Sequence, residues 1–442
     1  MKLLHAMPRG RDDGAMMSPV TLSRTFLFAP ESAYGPTNNC IGMATRLRSR
    51  GHRVVFAAER SWRGRLEALG IEEELIDLAA ASTTPQDAGQ FWKDYVGAIA
   101  PEFARPTLEQ LASVIRPIWE ELIAGARYAQ DQLCEVVARV GPDVIVQDNV
   151  VGFPALAAAG VPFVRIVSCN PLEVPSLGVA PAFSGLGADD GAHFSHFRAA
   201  YRETHEEIWR DFDAWYRDQG APGLAELEFV ARGDLNLYVY PEELDYSRDL
   251  GPTWHRLDSS VRETESPIAL PEGFASGERP VIYFSLGSLG GADVALMRRV
   301  IEALASEPYD VIVSLGPRHD EIELAANMWG GEFVPQTRLV PLADLVITHG
   351  GNNTVTESMH FGKPMVVLPL FWDQYDNAQR VDECGYGRRL ATYEVSVDDL
   401  RRHVAEMLTD GALRERARAA GERIRRADGL ARALSLLEGV AG

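Results

Sequence analysis

The stretch with the clearest chemical potential is ITHGGNNTVTESMHFGKPMVVLPLFWDQYDNAQRV, residues 347–381. An apolar strand is predicted to end at Thr348, and a helix is predicted to begin at Asn352–Thr354. The glycines of the intervening turn let the main chain approach a ligand closely. The N–H groups at the start of a helix lack partners and lie at its positive dipole end, so they suit a phosphate group. This pattern predicts a diphosphate site.

Three side chains of the same stretch extend this site. His349 and Thr354 supply donors beside the predicted phosphate position, and Glu357 follows about two helical turns after His349. A carboxylate has two oxygens, so Glu357 can accept both hydroxyls of a ribose. HGGNN alone is typical of a capped strand–helix turn, but the PMVVLP and DQ that follow it favour a nucleoside diphosphate site.

The elements that must position these residues are short apolar runs that alternate with helical patterns. Strand followed by helix followed by strand implies right-handed crossovers and parallel sheets. The sequence therefore predicts an α/β protein with two facing Rossmann-like domains, in which ligands bind at the carboxyl ends of the strands. The predicted strands are 25–29, 53–59, 143–148 and 162–168 in the first half, and 281–287, 310–316, 331–334, 345–350 and 365–369 in the second.

Changes in composition along the chain predict where the domains begin and end. A stretch rich in proline, glycine and charge separates the two strand-bearing halves. The predicted parts are a disordered tail at 1–20, an amino-terminal domain at 21–241, a linker at 242–280, a carboxy-terminal domain at 281–425 and a final helix at 426–442.

Composition narrows the compartment and the partners. The net charge of −20 disfavours nucleic acid and anionic membranes, because both attract positive surfaces. The four cysteines are scattered and form no CxxC pair, which predicts neither a disulfide framework nor a zinc site and fits a reducing cytoplasm. The chain contains no apolar run of about 18 residues, so no membrane span is predicted.

The segment from EFVPQ through ITHGGNN to DQYDNAQRV resembles the donor-binding signature of the inverting UDP-glycosyltransferases that glycosylate small molecules. The likeness is strong over 280–425 and continues more weakly through the first strand, RSRGHRVVFAAE and PDVIVQDNVVGFPALAAAGVPFV. The resemblance implies a GT-B fold with an acceptor-binding first domain and a second domain that binds the nucleotide sugar. That co-substrate would be UDP-glucose, or a TDP-sugar, with no required cofactor or metal.

The resemblance also assigns donor-binding roles to individual residues. Phe333 stands where the family usually has tryptophan, and it would stack on uracil. Asp373 and Asp376 in DQYD could suggest a metal-binding acidic pair, but the resemblance implies that a helix dipole and hydrogen-bond donors, rather than a required divalent ion, neutralise the leaving diphosphate. Taken in the order base, diphosphate, ribose and sugar, the implied donor residues are Phe333, Val334 and Gln336; Ser288, His349, Gly351, Asn353 and Thr354; Glu357; and Asp373 and Gln374.

The catalytic base is where this sequence departs from the family. There, a histidine after the first strand takes the acceptor's proton, and an aspartate orients that histidine. Asp148 matches the aspartate, but Pro36 stands at the position of the histidine and cannot accept a proton. Asp148 could act directly or through a water, on an amine or an acidic acceptor. Alternatively a histidine of the acceptor-side insertion replaces the missing one, or catalysis has been lost; the candidate histidines are His193, His196 and His205.

We favour an active transferase in which Asp148 performs the acid–base work. It would transfer a hexose, with glucose expected first, to a small and largely apolar acceptor with inversion, as in natural-product tailoring or detoxification. The alternative is a catalytically silent homologue that assists a partner protein. A monomer or a homodimer fits either reading. The loop SAYGPTNNC, residues 32–40, would contact the acceptor through Tyr34, Pro36, Thr37 and Asn38.

Overall fold

The computed structural model describes residues 22–80, 95, 97–291 and 293–442, except for the side chains of Ser288 and Leu289. The predicted tail at 1–20 therefore lies outside the described residues. The first half forms a sheet of parallel strands in the order β3-β2-β1-β4-β5-β6-β7. Its strands are β1 (Thr25–Pro30), β2 (Arg53–Glu59), β3 (Glu72–Ile76), β4 (Val144–Asp148), β5 (Phe163–Val167), β6 (Leu235–Val239) and β7 (Trp254–Leu257).

The second half forms another parallel sheet, in the order β10-β9-β8-β11-β12-β13. In both sheets the first strand lies inside and the chain winds outward in both directions, as in doubly wound folds. The strands of the second sheet are β8 (Val281–Ser285), β9 (Asp310–Ser314), β10 (Met328–Gly331), β11 (Leu345–Thr348), β12 (Met365–Val367) and β13 (Gly387–Arg389).

Helices cover both faces of the two sheets, which buries central strands such as β4 at every position. Helices of four residues lie at Thr107–Gln110, Pro154–Ala157, Gly287–Gly290 and Gln336–Leu339. The longer helices are α1 (Tyr34–Ser49), α2 (Arg116–Val140), α3 (Gly191–Asp218), α4 (Val294–Leu304), α5 (Asn352–His360), α6 (Gln374–Glu383), α7 (Val397–Thr409), α8 (Gly411–Ala427) and α9 (Gly429–Val440). Among the described helices, none combines the length and apolar character needed to cross a membrane.

The second sheet differs from the sequence prediction at one edge. A strand was expected at 331–334, but β10 occupies Met328–Gly331 and pairs with β9 from Met328 to Gly331. Two glycines weaken the strand pattern here, and the fold needs the first of them. A Cβ on Gly330 would collide with the carbonyl oxygen of Val313. The residues after Gly331 leave the sheet and enter the cleft.

The segment predicted as a linker, 242–280, begins with an element of the first domain. Trp254–Leu257 forms the edge strand β7, whose two end residues are buried and which pairs with β6. Polar and proline-rich neighbours conceal this short strand in the sequence. Coil then runs from Asp258 to β8. At the other end of the chain, α9 returns to the first domain, where Leu430, Leu434 and Leu437 pack into the core of its sheet.

The loop expected at 32–40 is largely helical, because α1 already begins at Tyr34. Pro36 lies in the first turn of α1, where a backbone N–H has no partner within the helix, so its missing N–H costs nothing. Thr37 is buried, and its Oγ1 donates to the carbonyl oxygen of Glu31 at 2.9 Å. The start of α1 is therefore a fixed wall, placed at the carboxyl ends of β1 and β4.

Candidate active site

A cavity of about 760 Å³ lies between the carboxyl ends of the two sheets and is lined by residues of both halves. Two of the sequence-predicted residues, Thr37 and Asp148, do not line it, and the side chain of Ser288 lies outside the described part of the chain. The predicted residues that do line it are Tyr34, Pro36, Asn38, Phe333, Val334, Gln336, His349, Gly351, Asn353, Thr354, Glu357, Asp373 and Gln374.

The turn between β11 and α5 is built around the His349 ring. Gly350 has a φ of +89°, a backbone conformation that favours glycine. Gly287 and Gly351 flank the imidazole so closely that a Cβ on either would overlap the ring. Burial lowers the pKa of His349 to about 4, so the ring is neutral at pH 7. The first residue of α5, Asn352, follows this turn, so the open N–H groups of the helix lie beside a neutral imidazole.

The Glu357 carboxylate is buried more than one helical turn after the start of α5. It accepts from Arg262 Nη1 at 2.7 Å and from Gln336 Nε2 at 2.6 Å. Burial raises the pKa of Glu357, and Arg262 opposes that rise. Arg262 also pairs with Glu265, and it comes from the coil after β7. Sequence reasoning missed Arg262 because no motif links that coil to α5.

The expected base-stacking residue is already covered by another aromatic ring. Phe333 is 46% exposed, and the Tyr34 ring lies 5.4 Å from it, centroid to centroid. Tyr34 also packs 5.2 Å from Trp62, and its hydroxyl oxygen accepts from Arg65 at 3.0 Å. The start of α1 thus reaches across the cleft to the Phe333 face.

Asp373 and Gln374, the predicted sugar-binding pair, both line the cavity. Asp373 Oδ2 accepts from the Asn170 backbone N–H at 2.7 Å, and burial raises the pKa of Asp373 to about 7. Gln374 Oε1 accepts from the backbone N–H groups of Leu370 and Phe371 at 3.0 and 3.3 Å. These bonds fix the Gln374 amide, so its NH₂ group remains for a ligand hydroxyl.

Asp376 does not share that position. Its two carboxylate oxygens accept from the backbone N–H groups of Phe183 and Gly185, at 2.6 and 2.8 Å. Asp376 therefore holds the segment after β5 against α6. Asp376 thus forms a structural contact between the two halves, whereas Asp373 lines the cavity.

The Asp148 carboxylate lies behind the cavity wall, only 2% exposed. Its Oδ2 accepts from Ser168 Oγ at 2.5 Å and has Cys40 Sγ at 3.7 Å. Burial raises the pKa of Asp148 well above its usual value. Ser168 does line the cavity, so it stands between Asp148 and any ligand. In this geometry Asp148 does not reach the cavity directly, because Ser168 and Cys40 of α1 lie against its carboxylate.

The histidines considered as replacements lie elsewhere. His193 and His196 are exposed on α3, and neither lines the cavity. His205 is fully buried on the same helix, with Nδ1 bonded to the Tyr201 carbonyl oxygen at 3.0 Å. None of these three rings reaches the end of the cavity next to Pro36.

The remaining wall of the cavity is apolar and comes from the first domain and from the turn before α6. A pocket of this kind, apolar with a few converging polar groups, is typical of small-molecule sites. The apolar lining residues are Ile41, Trp62, Leu69, Ile118, Leu122, Val150, Phe371 and Trp372.

Comparison with known proteins points to one class. The sequence model for UDP-glucoronosyl and UDP-glucosyl transferases matches residues 240–420. The NDP-glycosyltransferase YjiC of Bacillus subtilis (strain 168) is 26% identical over 422 residues, which are 92% of this chain and 94% of that protein. The zeaxanthin glucosyltransferase of Pantoea ananas is 25% identical over 417 residues, 90% of this chain and 91% of that protein.

A solved structure, the glycotransferase of kitacinnamycin, shares the fold with a TM-score of 0.70. The two chains are 23% identical, and the match covers 95% of this chain and 100% of the other. The fold and the matches make this chain an α/β enzyme of the GT-B fold, a glycosyltransferase that uses a nucleotide sugar. It is similar to the UDP-glycosyltransferases, as the motif at 347–381 predicts.

Proposed function

We propose that this enzyme transfers a hexose, glucose in the first instance, from a UDP-sugar to a small and largely apolar acceptor, with inversion. The observation that carries the proposal is that the start of α5, the Glu357 carboxylate and the Asp373–Gln374 pair all line one cavity. These groups suit, in that order, a diphosphate, a ribose and a hexose. The four free cysteines fit a reducing compartment such as the cytoplasm.

A single in-line displacement fits this arrangement. The acceptor atom attacks the anomeric carbon, the bond from that carbon to the diphosphate oxygen breaks, and the electron pair leaves with the UDP. The open N–H groups of α5 and the neutral His349 then face the new negative charge. Preorganised donors of this kind stabilise developing charge without reorganising during the reaction.

The bonding of Glu357 favours uridine over a deoxynucleoside. Each of its oxygens accepts one bond from the protein, one from Arg262 and one from Gln336. Each oxygen keeps a further acceptor position, which matches the two hydroxyls of a ribose. A thymidine nucleotide has only the 3′-hydroxyl and would leave one of these positions unused.

The apolar wall and the position of Pro36 bear on the acceptor. Ile118, Leu122 and Val150 offer carbon surface to an acceptor skeleton, and the relatives include a zeaxanthin glucosyltransferase. Because Pro36 supplies no imidazole, an amine or an acidic hydroxyl, which needs less help to lose its proton, is the acceptor class we expect to react fastest.

The test is to incubate the purified chain with UDP-glucose or TDP-glucose and with phenols and amines of graded acidity. We expect transfer from UDP-glucose, with mass spectrometry giving the added hexose and NMR giving a β-linked product. Absence of any transfer, together with undetectable UDP binding by calorimetry, would support the silent homologue instead.

A further inference from the structure

Deepening the proposed function, on which it rests, we propose that Ser168 is the group that receives the acceptor's proton and that it hands its own proton to Asp148. Ser168 comes directly after β5 and lines the cavity, whereas Asp148 ends β4 and lies behind it. β4 and β5 are adjacent parallel strands, so their carboxyl ends meet at the same edge of the sheet.

The main chain and side chain of Ser168 are tied to the diphosphate end of the site. Its carbonyl oxygen accepts from Asn352 Nδ2 at 2.8 Å, and Asn352 is the first residue of α5. Its hydroxyl oxygen accepts from Asn39 Nδ2 at 2.8 Å, and the same Asn39 amide donates to Asn353 Oδ1 at 2.8 Å.

The same short segment is tied to the sugar end. Two residues after Ser168, the backbone N–H of Asn170 donates to Asp373 Oδ2 at 2.7 Å. The anomeric carbon joins the hexose to the diphosphate, so in a bound donor it lies between these two ends. The segment that carries Ser168 spans the same interval, which places the hydroxyl beside the reacting carbon.

The hydrogen bonds of the hydroxyl leave it one open position. Ser168 Oγ donates its only hydrogen to Asp148, at 2.5 Å, and one of its two lone pairs accepts from Asn39. The second lone pair is available to a donor that arrives from the cavity. An acceptor O–H or N–H fits that requirement, because it must point its hydrogen away from the carbon that it attacks.

The step balances as follows. The acceptor atom forms its bond to the anomeric carbon while its proton passes to Ser168 Oγ, and the Ser168 proton passes to Asp148 Oδ2. The bond from the anomeric carbon to the diphosphate breaks, and UDP takes the electron pair. Serine ends as a neutral hydroxyl and Asp148 as a neutral carboxylic acid, which later returns its proton to solvent by the reverse route.

The surroundings of Asp148 favour its role as the final proton acceptor. Burial raises its pKa well above the usual value; the hydrogen bonds from Ser168 and Cys40 oppose that rise, and the charges of Glu173 and Glu31 add to it. A carboxylate in such a place gains stability when it is neutralised. A serine relay also explains how the enzyme can work with Pro36 at the position of the histidine, because Ser168 connects Asp148 to the cavity without an imidazole.

The experiment compares the unaltered enzyme with Ser168→Ala on phenols that span several pKa units, with UDP-glucose as donor. We expect kcat to fall by about 10²–10⁴ for weakly acidic phenols, the range typical of general acid–base catalysis, and by much less for the most acidic ones. The Kd of UDP should stay within about twofold, and Ser168→Thr, which keeps a hydroxyl, should recover part of the rate.

Ser195→Ala is the matched control, because Ser195 is an exposed serine of α3 and does not line the cavity. Its rate should depend on acceptor pKa as in the unaltered enzyme. An equal loss on all phenols in Ser168→Ala, or no loss, would overturn the relay while leaving the transferase proposal intact. An unaltered enzyme that transfers no sugar would overturn both.

A second measurement needs no variant. The rate of the unaltered enzyme, plotted against the deuterium fraction of an H₂O–D₂O mixture, should fall below the straight line that joins its two end values. This curvature is expected when two protons move in one step. A linear dependence would contradict the relay, even if Ser168→Ala failed to fold.

Discussion

Glu357 occupies an environment in which a carboxylate is costly unless it is bonded. It is buried, and its charge is balanced by Arg262, which forms ion pairs with both Glu357 and Glu265. Removing one partner of a buried pair leaves the other charge uncompensated and lowers stability whatever the role of the pair. Ligand affinities therefore test the function of Glu357 more specifically than stability does. The ligand comparison for Glu357 is between nucleotides that differ by one hydroxyl.

We expect Glu357→Gln to weaken UDP binding about 10-fold or more, the range for a lost hydrogen bond to a charged group, and to weaken 2′-deoxy-UDP binding much less. The unaltered enzyme should prefer UDP over 2′-deoxy-UDP, and the variant should lose that preference. Calorimetry measures both affinities. Glu263→Gln is the control, since Glu263 is exposed on the same coil and pairs with Arg46. Equal weakening for both nucleotides would contradict the ribose role.

His205 permits a prediction about stability that is separate from catalysis. Burial lowers its pKa to about 4, and its Nε2 is buried with no hydrogen-bond partner. An unfolded histidine has a pKa of about 6.5, so between pH 6.5 and 4 the unfolded chain binds a proton that the folded chain does not. His205 therefore makes the free energy of unfolding fall as the pH drops through that window.

Urea unfolding of His205→Gln at pH 7 and pH 4 tests this. The loss of stability between the two pH values should be smaller than in the unaltered protein by about 3 kcal/mol, from roughly 1.4 kcal/mol per unit of pKa. Asp373 and Asp376, whose pKa values are raised to about 7, act in the opposite direction in both proteins and cancel in the difference. His196→Gln, on the exposed side of α3, should behave as the unaltered protein does.

At the scale of elements, the sequence predicted most strands that form one apolar run, although it missed β6 (LNLYV), and it missed strands that depend on pairing with a neighbour. The turn before α5 and the strands β1, β4, β8 and β11 follow from apolar runs and from glycines that stand next to one another in the chain. β3, with the sequence EEELI, and the edge strands β7 and β13 carry too few apolar residues to be recognised alone. Tertiary pairing decides such strands.

The same distinction separates the site residues. Glu357 and Asp373 come from one motif, whereas Arg262, Asn39 and Ser168 enter the site from three distant segments. Asn39 belongs to the stretch 32–40 that was expected to contact the acceptor, whereas no local pattern marks Arg262 or Ser168. The order of the strands brings the three together. Ser168 had one usable signal, because it ends the predicted strand 162–168, which is the next strand along the chain after the predicted strand that ends at Asp148.

α9 gives the prediction that belongs to the element scale. Its apolar side belongs to the same buried cluster as Phe26 and Val54 of the first sheet, although the chain reaches it only after the whole second domain. Leu434 is 1% exposed there. We expect Leu434→Ala to lower the free energy of unfolding by about 2–5 kcal/mol, since it opens a cavity in that core. Urea denaturation measures this, with the exposed Ser435→Ala as control; a loss below about 1 kcal/mol would contradict the packing.

At the scale of the whole molecule, asparagine side chains join the two halves around the cleft. Asn352 Nδ2 donates to the carbonyl oxygens of Ser168 and Val239, and Asn170 Nδ2 donates to Asn377 Oδ1 at 2.8 Å. Asn353 Nδ2 donates to the Gly35 carbonyl oxygen at 2.8 Å. Each of these bonds needs both halves in one arrangement. These polar contacts therefore help to set the geometry of the cleft.

The Tyr34 ring on Phe333 has a kinetic consequence. A base that stacks on the side of Phe333 that Tyr34 occupies must take the place of Tyr34, and Tyr34 begins the helix whose Pro36 and Asn38 line the acceptor end. We therefore expect ordered addition, with the nucleotide sugar entering before the acceptor. A non-reactive acceptor analogue should then inhibit uncompetitively with respect to UDP-glucose, and competitive inhibition would contradict this order. In Tyr34→Ala, which removes the Tyr34 ring from Phe333, the order should relax toward random.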